Sequence, residues 1–176
     1  GCQPVWITNA TSFRFTESRL PKIAIIIDDA GLNKTMTKYA INLPGPLTIS
    51  FMSYASRLEQ QVNLAKKAGH EVIAHIPMEP FNSSLNPGPR FLSTRHSDKQ
   101  ILKNFRWSLS KVPGIVGVNN HMGSRFTSDQ RGMQIVMSEL KRQGLLFLDS
   151  RTSIDTKGVK LAKKFGVPHA ARNIFL

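Results

Sequence analysis

From Pro21 onward, short apolar runs alternate with longer amphipathic stretches. Lys22 to Ile27 is a brief run rich in β-branched residues, the pattern of a strand buried on both faces of a parallel sheet, and Asp28, Asp29 and Gly31 end it. A helical stretch from about Asn33 to Asn42 follows; Pro44, Gly45 and Pro46 break it, and Leu47 to Met52 predicts a second strand. Ser56 and Glu59 match a capping box opening a helix with Leu58, Val62, Ala65 and Ala68 at helical spacing and Gly69 as its stop. The third strand runs from Glu71 to Ile76 and closes at Pro77.

Met78 to His96 is the longest irregular stretch, and a loop of that length inside a compact domain is usually functional. Ser97 and Gln100 form a second capping box before a helix holding Ile101, Leu102, Phe105 and Leu109. Ile115 to Val118 reads as the fourth strand. A helix from about Asp129 to Gln143, capped by Ser128, leads to a fifth strand at Leu145 to Leu148. Asp155 is placed to cap a last helix ending at Gly166, with two short extended pieces after it. Residues 1 to 21 show no period and read as an N-terminal arm anchored by Trp6, Phe13 and Phe15, ahead of one α/β domain over 22–176. Five or six βα units with short connections predict a mainly parallel sheet, either a barrel or a doubly wound open sheet; periodicity does not separate the two.

Composition narrows this little. A chain of 176 residues, 40% hydrophobic and 20% charged, suits one globular domain burying roughly 70% of its unfolded surface. Cys2 is the one thiol, so no internal disulfide forms, and a lone cysteine at position 2 is weak evidence of a lipid anchor. No apolar run approaches the ~20 residues of a membrane span, and the chain holds no basic region followed by an apolar export segment. The net charge of +13 makes polyanions natural neighbours. Yet the basic residues are scattered, and the pairs Lys66–Lys67, Lys141–Arg142 and Lys163–Lys164 fall at predicted helix ends, where they favour the helix dipole as a solvated face. No zinc-finger, helix-turn-helix or aromatic RNA-binding pattern is present, so no specific nucleic-acid partner is expected. The turn after the first strand lacks Gly-x-Gly-x-x-Gly, which argues against a dinucleotide site.

In parallel α/β folds functional groups gather at the carboxyl ends of the strands. There this sequence puts Asp28 and Asp29, then His75 and Glu79, then Asn119, Asn120 and His121, then Asp149, Ser150 and Arg151. Singly each has a bland reading: an Asp capping the next helix, a core histidine bonded to backbone, a loop histidine bonded to a carbonyl. Adjacent carboxylates repel unless a positive charge sits beside them, and an Asp and two His from three strand ends are suitable ligands for Zn²⁺ or a similar ion with a position open for water.

The segments around Ile25 to Gly31, Gly69 to Pro80, Asn119 to Thr127 and Phe147 to Thr152 resemble, in the family's order, the signature blocks of the divergent polysaccharide deacetylases. That resemblance implies a distorted barrel of about seven βα units. Because Arg172 to Leu176 looks like the family's penultimate strand, the expectation is an α/β fold with an incomplete (β/α) barrel of six to seven parallel strands, cut short at its C-terminal side. It implies a metal-dependent hydrolase that removes acetyl groups from a carbohydrate of the cell envelope, with a non-catalytic glycan-binding module on the same fold as the alternative. Carried over residue by residue, Asp28 is the base and Asp149 a second catalytic carboxylate. Asp29, His75 and His121 are metal ligands, with Glu79 standing where a further metal histidine would lie. Asn120, Ser124, Arg125, Arg151 and Arg172 are the substrate-binding candidates. The implied cofactor is a divalent ion, Zn²⁺ by ligand type, the implied partner a polysaccharide or peptidoglycan-like polymer, and the implied location extracytoplasmic.

Overall fold

Six parallel strands pair side by side in the order in which they occur in the chain: β1 (Ile26–Ala30), β2 (Thr48–Met52), β3 (Glu71–Met78), β4 (Gly117–Met122), β5 (Leu146–Asp149) and β6 (His169–Ala171). The structure is a computed structural model that describes residues 3–12 and 21–176; Cys2, Phe13 and Phe15 lie outside the described residues. Helices α1 (Val5–Asn9), α2 (Lys34–Ile41), α3 (Leu58–Lys67), α4 (Asp98–Lys111), α5 (Gln130–Gln143) and α6 (Gly158–Phe165) flank the sheet, with a 3₁₀ turn at Phe126–Ser128. A doubly wound sheet reverses its strand order at a switch point. Here the order never reverses, so the architecture is α/β barrel-like, and among the described residues β6 does not pair with β1.

Side chains alternate between the faces of a strand. One set, Ile49, Phe51, Val72, Ala74, Ile76, Val118 and Phe147, is fully buried and joins Val62, Ala65, Ile101, Phe105, Val136, Leu140 and Leu161 of the helices in one core. The opposite set is more polar. The β3–β4 register pairs His75 with Asn119 and Pro77 with His121, so His75, Asn119 and His121 share that second face. This alternation is the step by which sequence positions the site.

Three strands extend further than their apolar runs predict: β1 reaches Ala30, β3 Met78 and β4 Met122. Pro77 does not stop β3, because β2 ends at Met52 opposite His75. Beyond that point the flank carries only a bridge to Leu92, whose N–H donates to the Pro77 carbonyl at 2.9 Å, so the proline's missing N–H breaks no central ladder. Ser97 caps α4 as expected, accepting from Gln100 N, but the Gln100 amide turns to Asn104 instead of closing the box. Three other caps differ. Helix α3 follows Arg57 in a left-handed conformation with no side-chain cap; Asp129 rather than Ser128 caps α5; and α6 starts at Gly158, past Asp155. The basic pairs do fall in the last turns of α3, α5 and α6. In the N-terminal arm, Trp6 N–H donates to the Gly144 carbonyl and Asn9 Nδ2 to that of Ile115, fastening α1 to the end of the sheet remote from His75 and His121. No helix among the described residues is long and apolar enough to cross a membrane.

Glu139 on α5 is 3% exposed and accepts from Arg106, Arg142 and Gln143. Arg142 foremost holds its carboxyl down to about 2, against an ordinary 4.5. A depressed folded-state pKa gives stability that is complete above the unfolded value and disappears as pH falls through the folded one. Denaturant melts between pH 5 and pH 2 are expected to show a loss of about 2 kcal/mol that Glu139→Gln removes; an unchanged pH slope in that variant would refute the assignment.

Candidate metal centre

In a regular strand the adjacent Asp28 and Asp29 would face opposite sides of the sheet. Strand β1 is irregular between Ile27 and Ala30, and Asp29 takes a left-handed φ of 57°, a conformation that aspartate tolerates better than most residues. The irregularity lets both carboxylates reach the polar face. Asp28 Oδ1 accepts from Asn119 Nδ2 at 2.7 Å, while Asp29 Oδ1 lies 3.3 Å from His75 Nε2 and 3.0 Å from His121 Nδ1.

The two imidazoles meet edge to face, with ring centroids 5.0 Å apart. His75 is buried at 3% exposure, His121 is 18% exposed and Asp29 60%, so the cluster has a closed back and an open front. The contacts with His121, the larger cause, and with His75 hold the Asp29 carboxyl well below the usual carboxylate range. An ionised oxygen facing two ring nitrogens requires protons or a cation between them. The three ligand atoms all lie within 4.8 Å of one another, each from a different strand, and an Asp/His/His donor set suits a divalent metal ion of borderline softness.

Other predicted residues fall elsewhere. Glu79 is outside this group. Its Oε2 accepts from Ser93 Oγ, Thr94 N and Thr94 Oγ1, and its Oε1 faces Arg95 and Arg125 at 3.9 and 3.8 Å. Burial pushes its carboxyl up, but the Thr94 and Ser93 bonds outweigh that and hold it below its ordinary value. Glu79 thus pins the 80–96 loop. The four-residue offset from His75 misleads because the chain is extended there and not helical.

Asp149 is wholly buried on the opposite face of the sheet: Leu148 is in register with Asn119, so Asp149 points away from it. Its oxygens accept from Arg151 N and Thr156 Oγ1, which makes it the anchor of the loop after β5. Asn120 shares that face. Its amide donates to Met122 O and Thr152 Oγ1 and accepts from Ser150 N, so it braces two loops and has no amide proton left for a substrate. Ser124 Oγ accepts from Phe81 N. Gly123 lets the chain pass close to the Met78 side chain, where a Cβ would come within 2.7 Å, a packing need and not a ligand approach. Arg172 donates to the Arg151 carbonyl, joining the ends of β5 and β6. Arg125 stacks over Phe81 and lines a cavity of about 310 Å³ with Glu79, Pro80, Phe91, Thr94 and Arg95.

Two residues of the site escape a search for reactive side chains at strand ends, which does find Asn119 but assigns it no role. Ser50 lies inside β2, where its Oγ donates to Asn119 Oδ1 at 2.6 Å. Tyr54 follows β2; burial, and then the Asp29 carboxylate, push its phenol above the ordinary value, and its ring packs so close to Gly88 that a side chain there would meet it at 2.6 Å. Inspecting the end of the second strand as well as the others finds Tyr54.

This fold and this cluster belong together: the chain is a member of the divergent polysaccharide deacetylase family, whose pattern it matches over residues 25–176. Its relatives include the uncharacterised protein YibQ of Escherichia coli K12, 35% identical over 155 residues covering 88% of this chain and 48% of YibQ. An uncharacterised protein of Haemophilus influenzae is 32% identical over 167 residues, covering 94% of this chain and 58% of its own length. The chain therefore spans about half the length of the curated relatives it matches. The crystal structure of the uncharacterised protein ATU2773 from Agrobacterium tumefaciens C58 superposes with a TM-score of 0.92 at 29% identity, over 98% of this chain and 70% of that one.

Proposed function

We propose that this chain is the catalytic domain of a zinc-dependent carbohydrate deacetylase acting on an acetylated polymer of the cell envelope, outside the cytoplasm. The observation that carries the reading is the convergence of Asp29 Oδ1, His75 Nε2 and His121 Nδ1 at the open front of the sheet, with a second carboxylate, Asp28, one residue away. Asp29, His75 and His121 would hold the ion, which when bound would polarise the acetyl carbonyl and lower the pKa of water toward ~7. Asp28, its side chain 36% exposed and one oxygen fixed by Asn119, accepts the proton of the attacking water.

The cavity lined by Glu79 and Arg125 is the proposed carbohydrate subsite. It joins apolar faces of Pro80, Leu85, Pro87 and Phe91 to the polar groups of Glu79, Thr94, Arg95 and Arg125. Apolar walls with a few fixed polar groups suit the two-sided character of a sugar ring. Among the predicted arginines, Arg125 is the one we assign to substrate.

The test is acetate release from partially acetylated oligosaccharides by the Zn²⁺-loaded protein, alone and after chelation. Chelator-sensitive release that Asp28→Asn abolishes without weakening Zn²⁺ binding supports the reading. Saturable oligosaccharide binding with no acetate released selects the glycan-binding module instead.

A further inference from the structure

Asn119 carries an inference that rests on the metal-centre reading above and deepens it. The residue is 1% exposed, and its carboxamide meets three partners: Nδ2 donates to Asp28 Oδ1 at 2.7 Å, while Oδ1 accepts from Ser50 Oγ at 2.6 Å and lies 2.7 Å from His75 Nδ1. Turned end for end, the amide would set its carbonyl oxygen against the Asp28 carboxylate, so charge fixes its orientation. The oxygen facing His75 has no proton to give. His75 Nδ1 must therefore bear the ring proton, and in the neutral imidazole the lone pair is left on Nε2. Nε2 is the atom 3.3 Å from Asp29 Oδ1, on the side where the three ligand atoms converge.

The geometry points to Asn119 as a positioning residue: it holds His75 in the Nδ1–H tautomer that aims the Nε2 lone pair at the cation site, and its other end ties the ligand histidine to Asp28. Ser50 completes the arrangement by filling the second lone pair of the Asn119 oxygen, so that the amide cannot swing toward another donor. Partners behind a ligand histidine that fix its ring typically govern metal affinity by about 10–100-fold. A buried asparagine with a purely structural role would sustain the fold without discriminating between the two ring tautomers.

Spectra of ¹⁵N-histidine-labelled protein, recorded with and without Zn²⁺ at a pH where free imidazole is neutral, read the tautomer directly. The wild type is expected to carry a proton on His75 Nδ1 in both states, with Nε2 bare when Zn²⁺ is bound and sharing a proton with the Asp29 carboxylate in its absence. Asn119→Leu is expected to lose that preference and to bind Zn²⁺ about 10–100-fold more weakly by calorimetry. Asn119→Asp, in which one oxygen still accepts from His75 and the other shares a proton with Asp28 in place of the amide donor, is expected to keep the Nδ1–H form. A wild-type His75 that lacks the Nδ1 proton, or an Asn119→Leu protein folded by circular dichroism with the His75 tautomer and Zn²⁺ affinity unchanged, overturns the proposal. Should Asn119→Leu fail to fold, the wild-type and Asn119→Asp spectra decide it, since loss of the Nδ1–H form in Asn119→Asp also overturns it. A wild type that binds no Zn²⁺ but shows the Nδ1–H form, lost in Asn119→Leu, defeats the metal reading and leaves the tautomer assignment standing.

Discussion

Alanine at His121 is expected to weaken Zn²⁺ binding by more than about 100-fold while leaving the fold intact. Removing a partner that merely orients a ligand costs about 10–100-fold, and loss of one of three direct ligands costs more. Asp29→Asn should do the same by a different route, keeping the shape of the side chain and removing its charge. Asparagine is also at ease in left-handed backbone, so the φ of 57° at position 29 adds no strain to that variant. His121 is partly exposed, Asp29 largely so, and neither is part of the hydrophobic core, so the circular dichroism spectra of the metal-free proteins should coincide with wild type, with Tm lowered only by the lost Asp29–histidine contacts. Saturating Zn²⁺ should raise the wild-type Tm, because a ligand that binds only the folded state stabilises it, and should leave both variants where they were. Wild-type affinity in both would show that the cluster is held together by protons and not by a metal ion.

The alternation of apolar runs and amphipathic stretches was enough to predict a mainly parallel sheet of five or six βα units, but not the order of its strands, which periodicity leaves open between a barrel and a doubly wound sheet. Two features of the site were legible for the same reason: βα loops converge at the carboxyl ends of strands, and Asp29, His75 and His121 lie near three such ends. What periodicity could not supply was the facing of each side chain. Asn119 and Asn120 are identical neighbours, yet the strand pleat sends one to the metal cluster and the other to a loop brace. Counting by twos back from His121 selects Asn119, but only once β4 is known to run as far as Met122, and its apolar run ends at Val118. The Asp28–Asp29 pair fails in the opposite sense, since alternation alone would separate the two carboxylates and only the irregularity in β1 reunites them. Glu79 shows the limit of spacing: four residues bring side chains together on a helix, whereas on an extended chain they lead into a different set of contacts.

Asp149 is where the resemblance and the structure part most clearly, and its replacement separates stability from chemistry. Its two oxygens accept from the Arg151 N–H and the Thr156 hydroxyl, and Gly158 packs so closely that a Cβ there would come within 2.3 Å of Oδ2. Alanine at this fully buried position leaves both part-buried donors without their acceptor and opens a void. Unpaired buried polar groups and the void together cost about 2–4 kcal/mol, which in a chain of this size corresponds to a Tm lowered by roughly 5–15 °C. Because Asp149 faces away from Asn119, His75 and His121, the same variant should bind Zn²⁺ with wild-type affinity at temperatures where it remains folded. Calorimetric titration and a thermal melt on one preparation give both numbers. A Tm within a degree of wild type would sink the anchoring role. A Zn²⁺ affinity lowered as far as in His121→Ala would return Asp149 to the metal centre and require the two faces of the sheet to be coupled through β5.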